Sequence, residues 1–203
     1  MKGSLFIISS PSGGGKGTLI RRALSELDNL KYSVSYTTRG MREGESEGVE
    51  YHFVSVPEFE GLMASGDLLE YALVHGIYYG TSNSQIEAAT DAGMDVILEI
   101  DVQGAKIVKR KRDEAINIFI LPPSFEVLAE RLRNRRTESE EQLAIRLDNA
   151  REEVGFYASC DYIIVNDDLE KAVADLEAVI RAERVKRNRQ VDAVRDILTT
   201  FES

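Results

Sequence analysis

The stretch Ser9-Ser10-Pro11-Ser12-Gly13-Gly14-Gly15-Lys16-Gly17-Thr18 stands between an apolar run, Leu5–Ile8, and a segment in which Leu19, Ile20, Ala23, Leu24 and Leu27 recur at helical spacing. A buried strand, a glycine-rich turn and a helix therefore follow one another, which is the opening unit of an α/β fold. Three consecutive glycines let the backbone turn its N–H groups inward around an anion. The helix N-terminus adds its positive end, and Lys16 can reach terminal phosphates. The pattern is that of a nucleoside-triphosphate cradle with two departures. Ser10 stands where the first glycine belongs, and Gly17 stands where the magnesium-binding hydroxyl belongs, with Thr18 one place later. A plain turn between strand and helix would not need a lysine there.

With 203 residues the chain is large enough for a substantial core in one large domain or two small ones. No stretch approaches the ~20 apolar residues of a membrane span, and the start lacks the basic-then-apolar order of a signal sequence. Cys160 is the single cysteine, so no internal disulfide forms, and a reducing cytoplasm is the expected location. A net charge of −10 argues against general nucleic-acid binding. It leaves anionic small molecules open, because local arginine clusters can override the mean.

Apolar runs and helical periodicity alternate along the chain. Strands are expected at Leu5–Ser9, Tyr32–Tyr36, Asp95–Ile100, Asn117–Leu121 and Tyr162–Val165, four of them apolar enough for burial on both faces of a parallel sheet. Helices are expected from about Lys16 to Leu27, Pro57 to Ser65, Ser82 to Ala92, Gln103 to Lys111, Ser124 to Arg133, Ser139 to Val154 and Leu169 to Asn188. Thr137-x-x-Glu140 and Asp167-x-x-Glu170 read as capping boxes. Val191–Phe201 either continues the last helix or forms another.

Two regions break the alternation. Residues 38–54 (TRGMREGESEGVEYHFV) are polar, glycine-rich and too long for an ordinary connection, and Arg131, Arg133, Arg135 and Arg136 cluster just before the acidic Glu138–Glu141. Long irregular insertions in an α/β domain are usually lids or binding loops. A basic run in the last helix, Arg181 to Arg189, either lies solvated or meets acidic surfaces of another subunit.

Six segments, in order, resemble the guanylate kinase family: Val34–Arg39, Arg42-x-Gly44-Glu45, Gly48–Val54, Tyr78–Thr81, Ile100–Gly104 and Val165–Asp168. The resemblance runs from the first strand to about Arg189. It implies an α/β fold, a doubly wound parallel sheet in a P-loop core of about residues 1–34, 90–131 and 151–203. To this it adds a GMP-binding insertion at about 35–89 and a short helical lid at about 132–150.

The resemblance implies an ATP:GMP phosphotransferase acting in purine nucleotide metabolism, with ATP and GMP (and dGMP) as partners and Mg2+ as cofactor. The acceptor oxygen of a nucleotide phosphate is already anionic, so positioning and positive charge suffice and no side-chain base is needed. The lack of a Ser–His–Asp or Cys–His signature agrees with this, and His52 and His75 are expected to be packing or loop residues. By resemblance, Ser10, Pro11, Ser12, Gly13, Gly14, Gly15, Lys16, Gly17, Thr18 and Asn166 hold ATP, while Lys16, Arg135 and Arg146 act on the transferring phosphoryl group. Arg131, Arg133, Arg136 and Arg151 carry no firm role, and at least two of them suit a solvated helix face.

Arg39 and Arg42 suit a phosphate monoester because planar guanidinium forks bind its oxygens in pairs. Gly40-Met41 stands where the family often has prolines, which leaves both arginines in place. The resemblance adds phenolic donors from Tyr51 and Tyr79. It also assigns Glu70 to the N1–H and 2-amino donors of guanine, with hydroxyls of Ser35 and Thr81 serving O6. Without it, Glu70 reads as a surface acid at a strand start. Asp101, at the end of an apolar strand, either touches the guanine or holds a magnesium-bound water. Thr18 or water must replace the oxygen that Gly17 lacks. Two other readings remain: a non-catalytic guanylate-kinase-like interaction domain, and a kinase for another nucleoside monophosphate. Intact Lys16, Arg135 and Arg146 speak against the first, and the guanine-reading residues against the second.

Overall fold

The computed structural model describes residues 2–74, 76–134 and 140–201. Its strands are β1 (Leu5–Ser9), β2 (Leu30–Tyr32), β3 (Tyr36–Thr37), β4 (His52–Phe53), β5 (Leu68–Val74), β6 (Ile77–Ser82), β7 (Asp95–Glu99), β8 (Ile116–Leu121) and β9 (Tyr162–Val165). The helices are α1 (Lys16–Glu26), α2 (Val56–Ser65), α3 (Asn83–Asp91), α4 (Val102–Lys111), α5 (Phe125–Asn134), α6 (Glu140–Glu153), α7 (Leu169–Arg184) and α8 (Val191–Thr199).

The apolar strands do what their composition requires. β1 is buried along its whole length and lies at the centre of a five-stranded sheet in the order β2-β7-β1-β8-β9, every neighbouring pair parallel. Because successive side chains point to opposite faces, Phe6 and Ile8 enter one core layer and Leu5 and Ile7 the other. α1 and α7 cover the first layer with Leu19, Ile20, Ala23, Ala172, Leu176 and Ile180. α3 and α4 cover the second with Ile86, Ala89, Val102, Ala105 and Val108. The sheet is doubly wound, and the parallel register brings Ser9, Glu99, Leu121 and Val165 to one edge. Ligand-binding groups of such sheets gather at that edge.

A second sheet, β4-β3-β6-β5, is built from the residues between β2 and α3. Here the expected strand Tyr32–Tyr36 is corrected. The chain leaves the parallel sheet after Ser33, whose N–H still reaches Ile97 O, and re-enters the second sheet at Tyr36. The hairpin β5–β6 was absent from the expected strands. Its exposed half, Tyr71 to Val74, carries apolar side chains on both faces, so no alternation marks it.

Two helix boundaries also differ. The cap of α7 is Asp168, which accepts the N–H of Lys171, rather than Asp167. α7 ends at Arg184, not near Asn188, and α8 is a separate helix after a short 3-10 turn. The capping box expected at Thr137, like His75, lies outside the described residues. The basic run does not lie merely solvated. Arg184 and Arg189 both pair with the buried Asp95 within the chain. No described helix is long and apolar enough to cross a membrane.

Cys160 is free and partly buried, and its thiol donates to Phe156 O at 3.5 Å. Burial, with Asp161 nearby, pushes its pKa up to about 12, so the unreactive protonated form dominates. Alkylation at pH 8 should run at least about a hundredfold slower in the native protein than in the unfolded chain. Equal rates would show the thiol to be open to solvent.

Candidate functional site

The loop after β1 turns back on itself through Gly13 and Gly15, at φ 90° and 86°, a region that side chains rarely adopt. Gly15 caps α1, so Lys16 is the first helical residue and the helix N-terminus points into a cleft of about 260 Å³. Asn166, buried at the end of β9, donates its amide to Gly14 O at 3.0 Å and so shapes this loop from behind. A side chain at Gly15 would collide with that amide, which would sit 2.5 Å from the added carbon. Thr18 is exposed, and its hydroxyl accepts from Arg21 at 3.4 Å.

Two residues left without a role in the sequence join the loop. Glu99, at the carboxyl end of β7, stands 3.6 Å from the Lys16 ammonium and accepts from the Tyr32 hydroxyl at 3.4 Å. The available signal was an acid closing a buried parallel strand. Arg131, on α5, donates one guanidinium nitrogen to Asn166 O, while its buried Nη1 has no hydrogen-bond partner among the described residues. An orphaned cationic donor beside a phosphate loop fits an anion.

A second cleft of about 660 Å³ shares Lys16, Arg21 and Glu99 with the first and is also lined by Tyr32, Tyr51 and Asp101. Beyond it lies the second sheet. Arg39 reaches Glu45 Oε1 at 2.7 Å, and Glu45 Oε2 accepts the Arg42 N–H at 2.8 Å. Arg39 holds the Glu45 carboxyl below its usual range, chiefly through that hydrogen bond. The Arg39 guanidinium lies 5.5 Å from the centre of the Tyr51 ring, which packs edge-on against Tyr79 at 5.7 Å. Arg39, Tyr51 and Tyr79 therefore converge, and the Arg42 side chain is exposed.

Glu70 is no surface acid. It is buried on β5 opposite Thr81 of β6, whose hydroxyl donates to Glu70 Oε1 at 2.6 Å. Burial raises its pKa, the Thr81 hydrogen bond opposes the rise, Asp101 adds to it, and Lys111 also opposes it. With its hydroxyl proton directed to Glu70, Thr81 orients the carboxylate. Asp101 caps α4, accepting the Gly104 N–H at 2.7 Å, and is otherwise exposed. Ser35 is half-buried between the two sheets and binds the His52 N–H through its carbonyl.

Among the lid residues, Arg146 sits half-buried on α6, while Arg135 and Arg136 lie outside the described residues. Arg151 is structural: it pairs with Asp148 and stacks 4.4 Å from the Phe125 ring centre. A further cleft, of about 750 Å³, opens at the opposite, amino ends of the strands. Its cations are already matched to acids, Lys109 to Asp161 and Lys186 to Glu183, which leaves no cradle for an anion.

Among the described residues no group of three His, Cys, Asp or Glu can hold a metal unaided. Glu99, Asp101 and Thr18 nonetheless offer oxygens around the phosphate cleft. That sparse set fits Mg2+, which keeps several waters and takes substrate phosphate oxygens.

The guanylate kinase family model matches residues 2–183. A curated guanylate kinase of Neisseria gonorrhoeae is 54% identical over 197 residues, covering 97% of this chain and 96% of its own. One from Methylobacillus flagellatus is 50% identical, covering 98% of each chain. A crystal structure of guanylate kinase from Anaplasma phagocytophilum superposes with a TM-score of 0.72 at 37% identity, covering 93% of this chain and 89% of that one. A phosphate loop at the carboxyl edge of a doubly wound sheet, faced by an arginine–tyrosine cluster on a second sheet, and likeness over nearly the full length agree: the chain belongs to the guanylate kinase family.

Proposed function

We propose that this chain transfers the terminal phosphoryl group of ATP to GMP, and also to dGMP, through the cleft between the two sheets. The observation that carries the reading is the opposition of two anion sites across that cleft. Lys16 and the loop N–H groups form one, and Arg39 with Tyr51 and Tyr79 forms the other. In this reading residues 35–89 act as the GMP-binding insertion and about 132–150 as the lid, on a core of the remaining residues.

Transfer needs the acceptor oxygen in line with the donor phosphorus and needs the migrating charge neutralised; it needs no base. Arg39 and Arg42 hold the acceptor phosphate, and Lys16 follows the phosphoryl group as it moves. Arg146, and Arg135 eleven residues before it in the chain, supply further positive charge from the lid. Thr18, Glu99 and Asp101 would hold Mg2+ directly or through water, and the ion would supply charge neutralisation to the triphosphate. Glu99 pairs with Lys16 and Glu45 with Arg39, so each phosphate would compete with an acid for its cation.

Base choice follows from Glu70. Guanine presents N1–H and a 2-amino group, two donors on one edge, to a carboxylate that Thr81 already orients. Adenine presents a lone pair at N1 and would meet repulsion. Glu70→Gln should weaken transition-state binding of GMP by roughly 1.5–3 kcal/mol, the range for a hydrogen bond to a charged group, read from kcat/KM. In a panel of GMP, IMP, AMP, CMP, UMP and dTMP, IMP, which lacks the 2-amino donor, should be a much poorer acceptor than GMP. Equal use of GMP, IMP and AMP would reject this assignment even if phosphoryl transfer itself were measured.

A further inference from the structure

Glu153 is the last residue of α6, and its Oε2 accepts the backbone N–H of Ser12, at the crest of the phosphate loop, at 3.2 Å. The two residues are 141 apart in sequence, so this bond ties the foot of the lid helix directly to the loop. The carboxylate faces inward. Burial raises its pKa, the Ser12 N–H opposes the rise, Asp101 adds to it, and Lys16 also opposes it. A carboxylate beside a triphosphate site repels the ligand, so its presence there calls for a compensating role.

The register of α6 points to that role. Arg146 precedes Glu153 by seven residues, two helical turns, so both lie on one face about 10.5 Å apart along the axis. The neighbouring stripe, Leu143, Leu147 and Ala150, packs on Leu128 and Leu132 of α5. Only Ala150 of α6 is fully buried. These contacts, with Arg151 stacked on Phe125, seat α6 on α5, and the Glu153 bond ties its last turn to the phosphate loop.

We propose that Glu153 is a positioning residue: by fastening α6 to Ser12 it sets the rotation at which Arg146 meets the phosphates. The inference rests on the lid-arginine reading of Arg146 given above. The measurement is steady-state kinetics on the whole chain for Glu153→Ala, Glu153→Gln, Arg146→Ala and the Glu153→Ala/Arg146→Ala double variant. Circular dichroism at the assay temperature confirms that each is folded.

Glu153→Ala should lower kcat about tenfold while KM for GMP stays within about twofold, because the acceptor site lies across the cleft. Glu153→Gln, whose amide oxygen can accept the same N–H, should stay within about threefold of the parent kcat. The double variant should be no more than about twofold slower than Arg146→Ala alone, the non-additivity expected when one residue acts through another. The proposal is overturned if Glu153→Ala leaves kcat unchanged or raises it, if the glutamine variant is as slow as the alanine variant, or if the two losses add. If Arg146→Ala itself keeps the parent kcat, the lid-arginine reading fails, and the tether fails with it. If only Arg146→Ala is slow, the tether alone is wrong.

Discussion

Lys16→Met should lower kcat at least about a hundredfold, a loss of ~2.7 kcal/mol of transition-state stabilisation, with folding intact. Methionine keeps most of the stem and removes the charge. The ammonium is the first side chain of α1, three-quarters buried, and its described ion pair is the 3.6 Å contact with Glu99. At 3.6 Å that contact is too long for a hydrogen bond, so its loss should cost little stability. In the proposed mechanism the same ammonium would sit beside a phosphoryl group whose charge is redistributed in the transition state, within a cleft walled by protein. There its field counts most. KM for GMP should change little, since Arg39 and Tyr51 lie across the cleft. Turnover near the parent rate with ATP and GMP would overturn the phosphate cradle, whatever the fold.

The parts of the site that depend on local chemistry were legible in the sequence. Three glycines and a lysine between an apolar strand and a helix admit few other uses, and the structure gives two of those glycines the positive φ that only such residues adopt freely. Arg39, Tyr51 and Tyr79 were named from the resemblance to a known family, and the structure gathers them.

The parts that depend on distant packing were not legible. Glu70 reads as an exposed acid because its burial comes from the pairing of β5 with β6, across a bulge between Leu68 and Glu70. Glu153 and Ser12 meet only because α6 ends against the phosphate loop. Glu99 lacks a local sign beyond its strand end. The expected strand at Tyr32–Tyr36 failed for a related reason. Its alternation is real, but the chain changes sheets within it, and period alone does not say which sheet a residue joins.

At the far end of the sheet, Asp95→Ala should cost about 3 kcal/mol of stability or more, towards the lower end of the ~3–5 kcal/mol range for stranding buried charges. Asp95 opens β7 and is 2% exposed. Its Oδ1 accepts the Ser4 N–H at 2.7 Å and Arg189 Nη1 at 3.1 Å, and its Oδ2 accepts Arg184 Nε at 2.7 Å. One carboxylate thus joins the chain's first strand, its central sheet, the end of α7 and the turn beyond it. Alanine leaves two guanidinium groups short of a counter-charge and the Ser4 N–H without its acceptor. Arg184 keeps its bond to Asp28 O and Arg189 its bond to Lys2 O, and both retain some access to water, which is why the lower end applies. For a chain of this length each kcal/mol moves Tm by roughly 2–4 °C, so a drop of roughly 6–12 °C is expected in thermal unfolding. Because the cluster lies at the amino ends of the strands and the phosphate loop at the carboxyl ends, kcat below the transition should match the parent. A loss under about 1 kcal/mol, the worth of an exposed pair, would show that water already shares this cluster. A fall in kcat without a fall in Tm would show instead that the two ends of the sheet are coupled.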